Sequence, residues 1–353
     1  MSRAIPPDFS VEPPDTATAL IGHEEAEAAL LAACRAGRLH HAWLIDGPEG
    51  IGKATLAYRF ARFLLGHTDL HAESVQAARD LSVSADSPVA RQIRAKSHPD
   101  LIVLERPRDA EGRATATVIS VDAVRKVARF LSTTSATGGW RVVIVDSADD
   151  FNRSSANALL KMLEEPPQKA VFLLLSSSPG RLLPTIRSRC RRLALKPLDT
   201  GTIVEALRVA GVGDDEDARE TAAALSGGSL GKAMGLASEE AVETIHAVHR
   251  LLADMPRHDA VSAQRLAEGL GRRGVEERYR MATSLIVDWI AARMREEARS
   301  GADPRVLAPW AEVWEKVTRA FGEAERLNLD RTLTLLSVFR IVSAAASHDV
   351  ARV

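Results

Sequence analysis

Residues 44–65 read LIDGPEGIGKATLAYRFARFLL: an apolar strand, a glycine loop, a lysine and an amphipathic helix. That order is what phosphate binding requires. Gly47, Gly50 and Gly52 let backbone N–H groups turn onto phosphate oxygens, and the start of the following helix adds donors and a favourable dipole. Lys53 brings a point charge to the outer phosphates. A glycine-rich strand-to-helix turn that merely contains a lysine is the simpler alternative, and the three aligned glycines with correct flanks argue against it. The next residue breaks the pattern. A magnesium-coordinating loop needs Ser or Thr after the lysine, and this chain has Ala54, with Thr55 one position late. On a helix that step turns the hydroxyl about 100° from the required direction.

Two further stretches bear on phosphate chemistry. VVIVDSADD puts Asp146 at the end of an apolar strand, where a carboxylate holds magnesium through a water. Hydrolysis calls for an acid directly after it to activate the attacking water, and that position is Ser147. Asp149 and Asp150 sit where a helix start or the surface would use them, rather than as a replacement base. PTIRSRCRRL gathers Arg187, Arg189, Arg191 and Arg192 around one strand. A guanidinium there can stabilise charge on a neighbouring subunit's γ-phosphate. A solvated basic turn is the plain alternative, and spacing alone does not separate the two.

The elements that must position these groups follow from periodicity. Residues from about Ala26 to Arg38 are amphipathic, Trp43–Asp46 is a strand, and the helix after the glycine loop runs to about Leu65. LIVLE, RVVIVD, AVFLLLSS and RRLALKPL are short apolar runs suited to buried parallel strands. SVDAVRKVARFLSTT has a Ser cap and places Val121, Val124, Val127, Ala128 and Leu131 on one face. FNRSSANALLKMLEEPP is a helix stopped by Pro166–Pro167. Residues 67–99 show no strand period and read as helix with loops. Strands thus alternate with helices from about Gly22 to Leu195, which predicts a mostly parallel sheet with helices on both faces. After Pro197 the strands disappear: a small helical unit carries LSGGSLGKAMGL, and everything from Ser238 onward is helical.

Composition sets limits. A chain of 353 residues exceeds one ordinary core. With 46% hydrophobic and 26% charged residues it is a globular mixture. No run approaches the roughly 18 apolar residues of a membrane span, and the proline-rich start lacks the apolar block of a secretory signal. A cytoplasmic protein is expected. The formal net charge of −1 gives no global attraction for nucleic acid. Any DNA contact must come from a local patch or from partner subunits.

Together, LIGHEEAEAALLAACRAGRLHHAWLIDGPEGIGKATLA, SHPDLIVLE, RVVIVDSADDFNRSSANALLKMLEEPP and LLPTIRSRC resemble the clamp-loader branch of the AAA+ ATPases, and within it the delta-prime family of bacterial DNA polymerase III. ANALLKMLEEPP followed by a strand and SRC is the most specific part, and the resemblance runs from about Leu20 to Met234. The proline-rich, weakly hydrophobic residues 1–20 read as a flexible arm, and the resemblance implies an AAA+ P-loop α/β domain with a parallel sheet at 21–197. A small helical lid at 198–237 and an all-helical collar for oligomerisation at 238–353 would follow.

On the family's motifs, Lys53 matches the Walker A lysine and Asp146 the first Walker B acid. Ala54, Ser147 and Gly231 depart from them, Gly231 standing where active relatives carry a sensor arginine. The resemblance therefore implies a degenerate nucleotide site of Gly47, Gly50, Gly52, Lys53, Thr55 and Asp146, which binds ATP weakly or without hydrolysing it. Arg189, within Ser188–Arg189–Cys190, is implied to be an arginine finger acting in trans on ATP held by a gamma or tau subunit. The implied role is a subunit of the DNA polymerase III clamp loader, a component of a DNA-directed DNA polymerase holoenzyme with little ATPase of its own. Its partners would be the delta and gamma/tau subunits and, through the complex, the sliding clamp and primed DNA. No membrane partner and no metal are implied. The four-cysteine zinc module of many relatives has no counterpart between Cys34 and Cys190, and His67, His71 and His98 lack zinc-site spacing, so zinc is not expected. The main alternative is a catalytically active gamma/tau-like clamp-loader ATPase. A small-molecule P-loop kinase fits worse, because it leaves the C-terminal helices unexplained.

Overall fold

Of the strands β1 Ala42–Asp46, β2 Leu101–Leu104, β3 Arg141–Val145, β4 Ala170–Ser176 and β5 Arg191–Ala194, β1, β3 and β4 are buried along their length, β2 is apolar and mostly half-buried, and β5 is largely exposed. The computed structural model describes residues 5–6, 9–10, 12–107, 116, 118–257, 259–272, 274–299 and 304–350. These divide into two units, Met1–Ala237 and Ser238–Val353.

In the first unit all five strands pair in parallel, in the order β2-β3-β4-β1-β5. Side chains alternate between faces along a strand, so the central strands feed two cores. Trp43, Ile45, Val142, Ile144, Val171 and Leu173 pack with α1 (Glu24–Arg35) and α2 (Lys53–Gly66). Leu44, Val143, Val145, Phe172 and Leu174 pack on the other side with α5 (Val121–Ser132) and α6 (Arg153–Glu164). Burial on both faces is why these strands read as continuous apolar runs. Ser120 and Asn152 start α5 and α6 by accepting from the N–H groups of Ala123 and Ser155. The apolar face of α5 is narrower than expected: Val124, Val127 and Leu131 are buried, but Ala128 is exposed. The three larger side chains already fill the seam.

Residues 67–99 carry two short helices, α3 (Glu73–Ala77) and α4 (Pro88–Arg94). Leu70, Val75, Leu81 and Ile93 join the α1–α2 core, and each such buried aliphatic contributes roughly 1.5–3 kcal/mol. Glu27 of α1, paired with Arg59 of α2, also accepts from the Leu81 N–H at 3.1 Å. Apolar burial and one buried ion pair therefore order this segment. Among the described residues, no three His, Cys, Asp or Glu side chains gather as a metal site would need.

Residues 12–20, read from sequence as part of a flexible arm, lie against α2. Arg62 donates to the carbonyl of Asp15 at 3.0 Å and to that of Ala17, and Arg59 donates to that of Thr18. Both arginines are buried, and burial with Arg59 alongside pushes the Arg62 pKa down to about 10. The segment forms its own turn, Thr16 and Ala17 N–H donating to the Pro13 carbonyl, and the two guanidiniums supply donors to the carbonyls of Asp15, Ala17 and Thr18.

After a four-residue helix, α7 (Pro184–Arg187), and β5 come α8 (Thr200–Val209), α9 (Glu216–Leu225) and α10 (Leu230–Leu236), the helices of the region read from sequence as a lid. Asp199, Asp215 and Ser229 cap their N-termini. The second unit is helical: α11 (Glu239–Ala253), α12 (Ala260–Gly271), α13 (Glu276–Arg299), α14 (Pro304–Leu327) and α15 (Arg331–Val350). Trp310 is buried in it, edge-on to Trp289 at 5.8 Å. No described helix is long and apolar enough to cross a membrane.

Candidate nucleotide site and arginine corner

Because the strands are parallel, their carboxyl ends share one edge of the sheet, where open α/β sheets bind ligands. Asp46 pairs with Ser176 and Val145 with Leu174, so the glycine loop after β1, Asp146 after β3 and the serines after β4 emerge together. Gly50, Gly52, Lys53, Thr55 and Asp146 line one cavity of about 420 Å³, within the usual range for a small-molecule site. Gly47 lies beneath it, its carbonyl bonded to Lys53. Phe9, Ser10 and Pro14 line the same cavity, as do Leu198, Leu230, Gly231 and Met234 of the lid side.

Lys53, the first residue of α2, donates at 2.8 Å to three acceptors: the carbonyls of Gly47 and Pro48 and the hydroxyl of Ser177. An ammonium has three donors, so its own surroundings satisfy it. Burial lowers its pKa, opposed by the nearby Asp146, Asp149, Glu49 and Asp46 carboxylates. Ala54 packs against the core, and Thr55 lines the cavity beside it. His23 braces the loop: Nε2–H donates to the Ile51 carbonyl at 2.7 Å, and burial pushes the imidazole pKa down, towards the neutral ring.

The acids divide by task. The Asp146 N–H donates to Leu104 at 2.8 Å, and its side chain faces the cavity. Ser147 follows in the left-handed region, at φ 65° and ψ 67°, a strained backbone for a residue with a Cβ. Asp149 does sit in the first turn of a short 3-10 helix, Ala148–Asp150, as a helix-start acid would, but its carboxylate has a further task. Half-buried, it accepts from the Ser176 hydroxyl at 2.6 Å and from the N–H groups of Ser177 and Ser178 at 2.6 and 3.2 Å. It thereby fixes the serine loop that holds Lys53. Asp150, also half-buried, pairs with Arg106 at 3.0 Å; burial raises its pKa, against the pull of that arginine.

Gly231 has a clear structural consequence. Its N–H donates to the Gly50 carbonyl at 2.9 Å, and the Ser229 hydroxyl donates to the Glu49 carbonyl at 2.8 Å. A Cβ on Gly231 would stand 2.9 Å from the Gly50 carbonyl oxygen, and one on Gly50, at φ +72°, would stand 2.6 Å from Ser229 Oγ. α10 thus meets the loop backbone to backbone at Gly231.

The arginine run is not a uniformly solvated turn. Arg192 holds buried Asp46 with two hydrogen bonds, 2.8 and 2.7 Å, locking β5 to the end of β1 beside the loop. Arg191 lies over the Trp43 ring at 5.0 Å, although it, Arg187 and Arg192 are all exposed. Arg189 does not line the cavity. One Nη donates to the Thr185 carbonyl at 3.0 Å, and the other pairs with Glu164 Oε1 at 2.9 Å. Burial pushes the Cys190 thiol up to about 12, so it packs and does not react as a thiolate.

A family model described as DNA polymerase III, delta subunit, matches residues 22–199, half of the chain. The chain belongs to that family. DNA polymerase III subunit delta' of Pseudomonas aeruginosa is 37% identical over 216 residues, 60% of this chain and 61% of that protein. The delta' subunit of Escherichia coli is 37% identical over 207 residues, 59% of this chain and 57% of that protein. The tau subunit of Escherichia coli is 33% identical over 190 residues, 54% of this chain and 27% of that protein. The matches thus span about three fifths of the delta' relatives' length. A gamma subunit-related protein of Thermotoga maritima superposes with a TM-score of 0.44 at 16% identity, over 92% of this chain and all of that one. The stretch matched to the delta subunit family holds the glycine loop, Asp146, Glu164 and Arg189, and it ends before Gly231.

Sequence reasoning missed Asp46, Asp149, Ser177, Ser229 and Glu164 as parts of these two places. One signal was available. Three consecutive serines, Ser176–Ser178, at the end of an apolar strand mark polar groups gathered at the functional edge of the sheet.

Proposed function

We propose that the chain is a delta-prime-type subunit of a DNA polymerase III clamp loader, which contributes Arg189 in trans to ATP held by an adjoining gamma or tau subunit. In that role it assembles with delta and gamma/tau subunits and takes part in placing the sliding clamp on primed DNA. The observation that carries the reading is the separation of Arg189 from its own pocket. Its guanidinium lies outside the cavity its own glycine loop forms, with one hydrogen bond to the Thr185 carbonyl and one ion pair to Glu164, and an arginine's five N–H donors leave several for a further acceptor. Family membership and the delta' and tau relatives support the assembly.

The pocket itself is read as a nucleotide site without productive magnesium chemistry. Its glycines and Lys53 suit phosphate, and Gly47, Gly50, Gly52, Lys53, Thr55 and Asp146 would hold a nucleotide there. Ala54 offers no hydroxyl to a metal, and Ser147 offers no carboxylate to activate water. A phosphate must also displace the three contacts that Lys53 makes to its own surroundings.

Reconstitution with delta and gamma/tau tests the central role. Arg189→Ala should leave assembly intact by gel filtration and lower ATP turnover at the interface it serves on the order of 10³-fold. Unchanged turnover would remove the role. Equilibrium dialysis tests the pocket: ATP binding weakened by Lys53→Ala is expected, and no binding at millimolar ATP would overturn it.

A further inference from the structure

We propose that Glu164 is the positioning residue for Arg189, holding the guanidinium in the direction in which it meets a phosphate on the adjoining subunit. The inference rests on the trans role given to Arg189 above.

Glu164 is the last residue of α6, at a place fixed by the chain beyond it. Pro166–Pro167 cannot continue the helix, so α6 ends here. Leu159 and Leu163 anchor the same turn of α6 in the second core. On the facing side Arg189 leaves a turn that is equally fixed. The Ser188 N–H donates to Pro184 at 2.9 Å and the Arg189 N–H to Ile186 at 3.1 Å, while Ile186 and Cys190 belong to that same core. Two rigid pieces thus present a carboxylate and a guanidinium to each other.

An arginine stem has many rotamers, and a long side chain leaving a fixed turn still sweeps a wide arc. The Thr185 carbonyl restrains one Nη, and Glu164 Oε1 restrains the other. A hydrogen bond at one Nη and an ion pair at the other hold the guanidinium from two sides, where the hydrogen bond alone leaves it free to rotate. With side-chain exposures of 36% and 43%, such a pair adds little to fold stability. Its effect should therefore appear in the position of the arginine and not in the melting temperature.

The carboxylate also offsets some of the positive charge on the finger. If that effect dominated, removing it would speed hydrolysis; if direction dominates, removing it slows hydrolysis. The use of a different Nη for each acceptor favours direction.

The test is steady-state ATP hydrolysis by the reconstituted assembly with wild-type, Glu164→Ala, Glu164→Asp, Glu164→Gln, Arg189→Ala and Glu164→Ala/Arg189→Ala chains, each checked for assembly and melting temperature. Glu164→Ala should lower kcat about 10-fold, as misplacement of a reacting group does, with KM for ATP unchanged because another subunit binds the nucleotide. Glu164→Gln keeps an acceptor at the same reach and should recover to within about 3-fold of wild type. Glu164→Asp keeps the charge, is shorter by one methylene, and should be slow like Glu164→Ala; it also carries the test if the alanine variant fails to assemble. In the Arg189→Ala background, Glu164→Ala should cost nothing more. A fully active or faster Glu164→Ala, or an equal loss in both backgrounds, overturns the inference while a slow Arg189→Ala leaves the trans role standing. Full activity of Arg189→Ala removes the trans role and the inference with it.

Discussion

In the nucleotide pocket Lys53 turns all three donors onto Gly47, Pro48 and Ser177, whereas at the arginine corner Arg189 makes one contact to Thr185 and one to Glu164. The pocket rests on the α1–α2 core and the corner on the α5–α6 core, and both carry a cation suited to phosphate. They differ in what surrounds the cation. Around Lys53 every nearby element closes inward: Asp149 ties down the serine loop, His23 braces Ile51, and Gly231 brings the lid onto Gly50. Around Arg189 two acceptors set a direction and leave donors over. Residues that shape a phosphate loop can persist for folding when the groups that use the phosphate are absent. A lone arginine with a positioned guanidinium contributes only if something outside it supplies the substrate.

The comparison can be tested from its strongest point downward. Arg189→Lys keeps the charge but loses the planar fork, so turnover of the reconstituted assembly should fall on the order of 10²-fold or more. Retained turnover would mean that charge alone suffices at the corner. Gly50→Ala puts a Cβ on a left-handed residue and against Ser229. It should lower the unfolding free energy by about 2–3 kcal/mol in a urea titration, and a neutral result would show that the lid does not press on the loop. Asp149→Ala strips the acceptor from two backbone N–H groups and a hydroxyl. About 2 kcal/mol should be lost, along with some ATP affinity as Ser177 shifts under Lys53; unchanged stability and binding would remove the brace.

The smallest effect lies away from both places and serves as a control. Burial alone would raise the Asp100 pKa, but bonds from the Ala136 N–H, the Thr137 hydroxyl and N–H and the Ser135 hydroxyl outweigh it and hold the carboxyl below the usual range. A depressed folded pKa adds stability above the unfolded value, about 3.9, which is lost as pH falls through the folded value. Asp100→Asn should therefore cost about 1 kcal/mol at pH 7, with the gap to wild type closing below about pH 4. A gap independent of pH would show that the hydrogen bonds do not depend on the charge.

What the sequence revealed and what it hid differ by range. The strands β1, β3 and β4 were legible because they are buried on both faces and so read as apolar runs, whereas β5, at the sheet edge, is short and largely exposed. The glycine loop and Asp146 were legible because local chain order places them at strand ends. The contacts that tune the two places join residues far apart in the chain: Asp46 to Arg192, Glu49 to Ser229, Lys53 to Ser177 and Glu164 to Arg189. No local pattern announces such pairs. The N-terminal segment illustrates the same point. Its prolines are visible in sequence, but the buried Arg59 and Arg62 that hold its carbonyls lie a helix away. Ala128 shows the limit of periodicity, which assigns a face but not how wide a stripe the neighbouring helix covers.

Under the proposed reading, the chain's own pocket hydrolyses ATP very poorly or not at all. The direct test is phosphate release by the purified chain at saturating ATP with magnesium, with and without primed DNA. Release no faster than in protein-free buffer is the expected result; DNA-stimulated release that disappears in Lys53→Ala would contradict it.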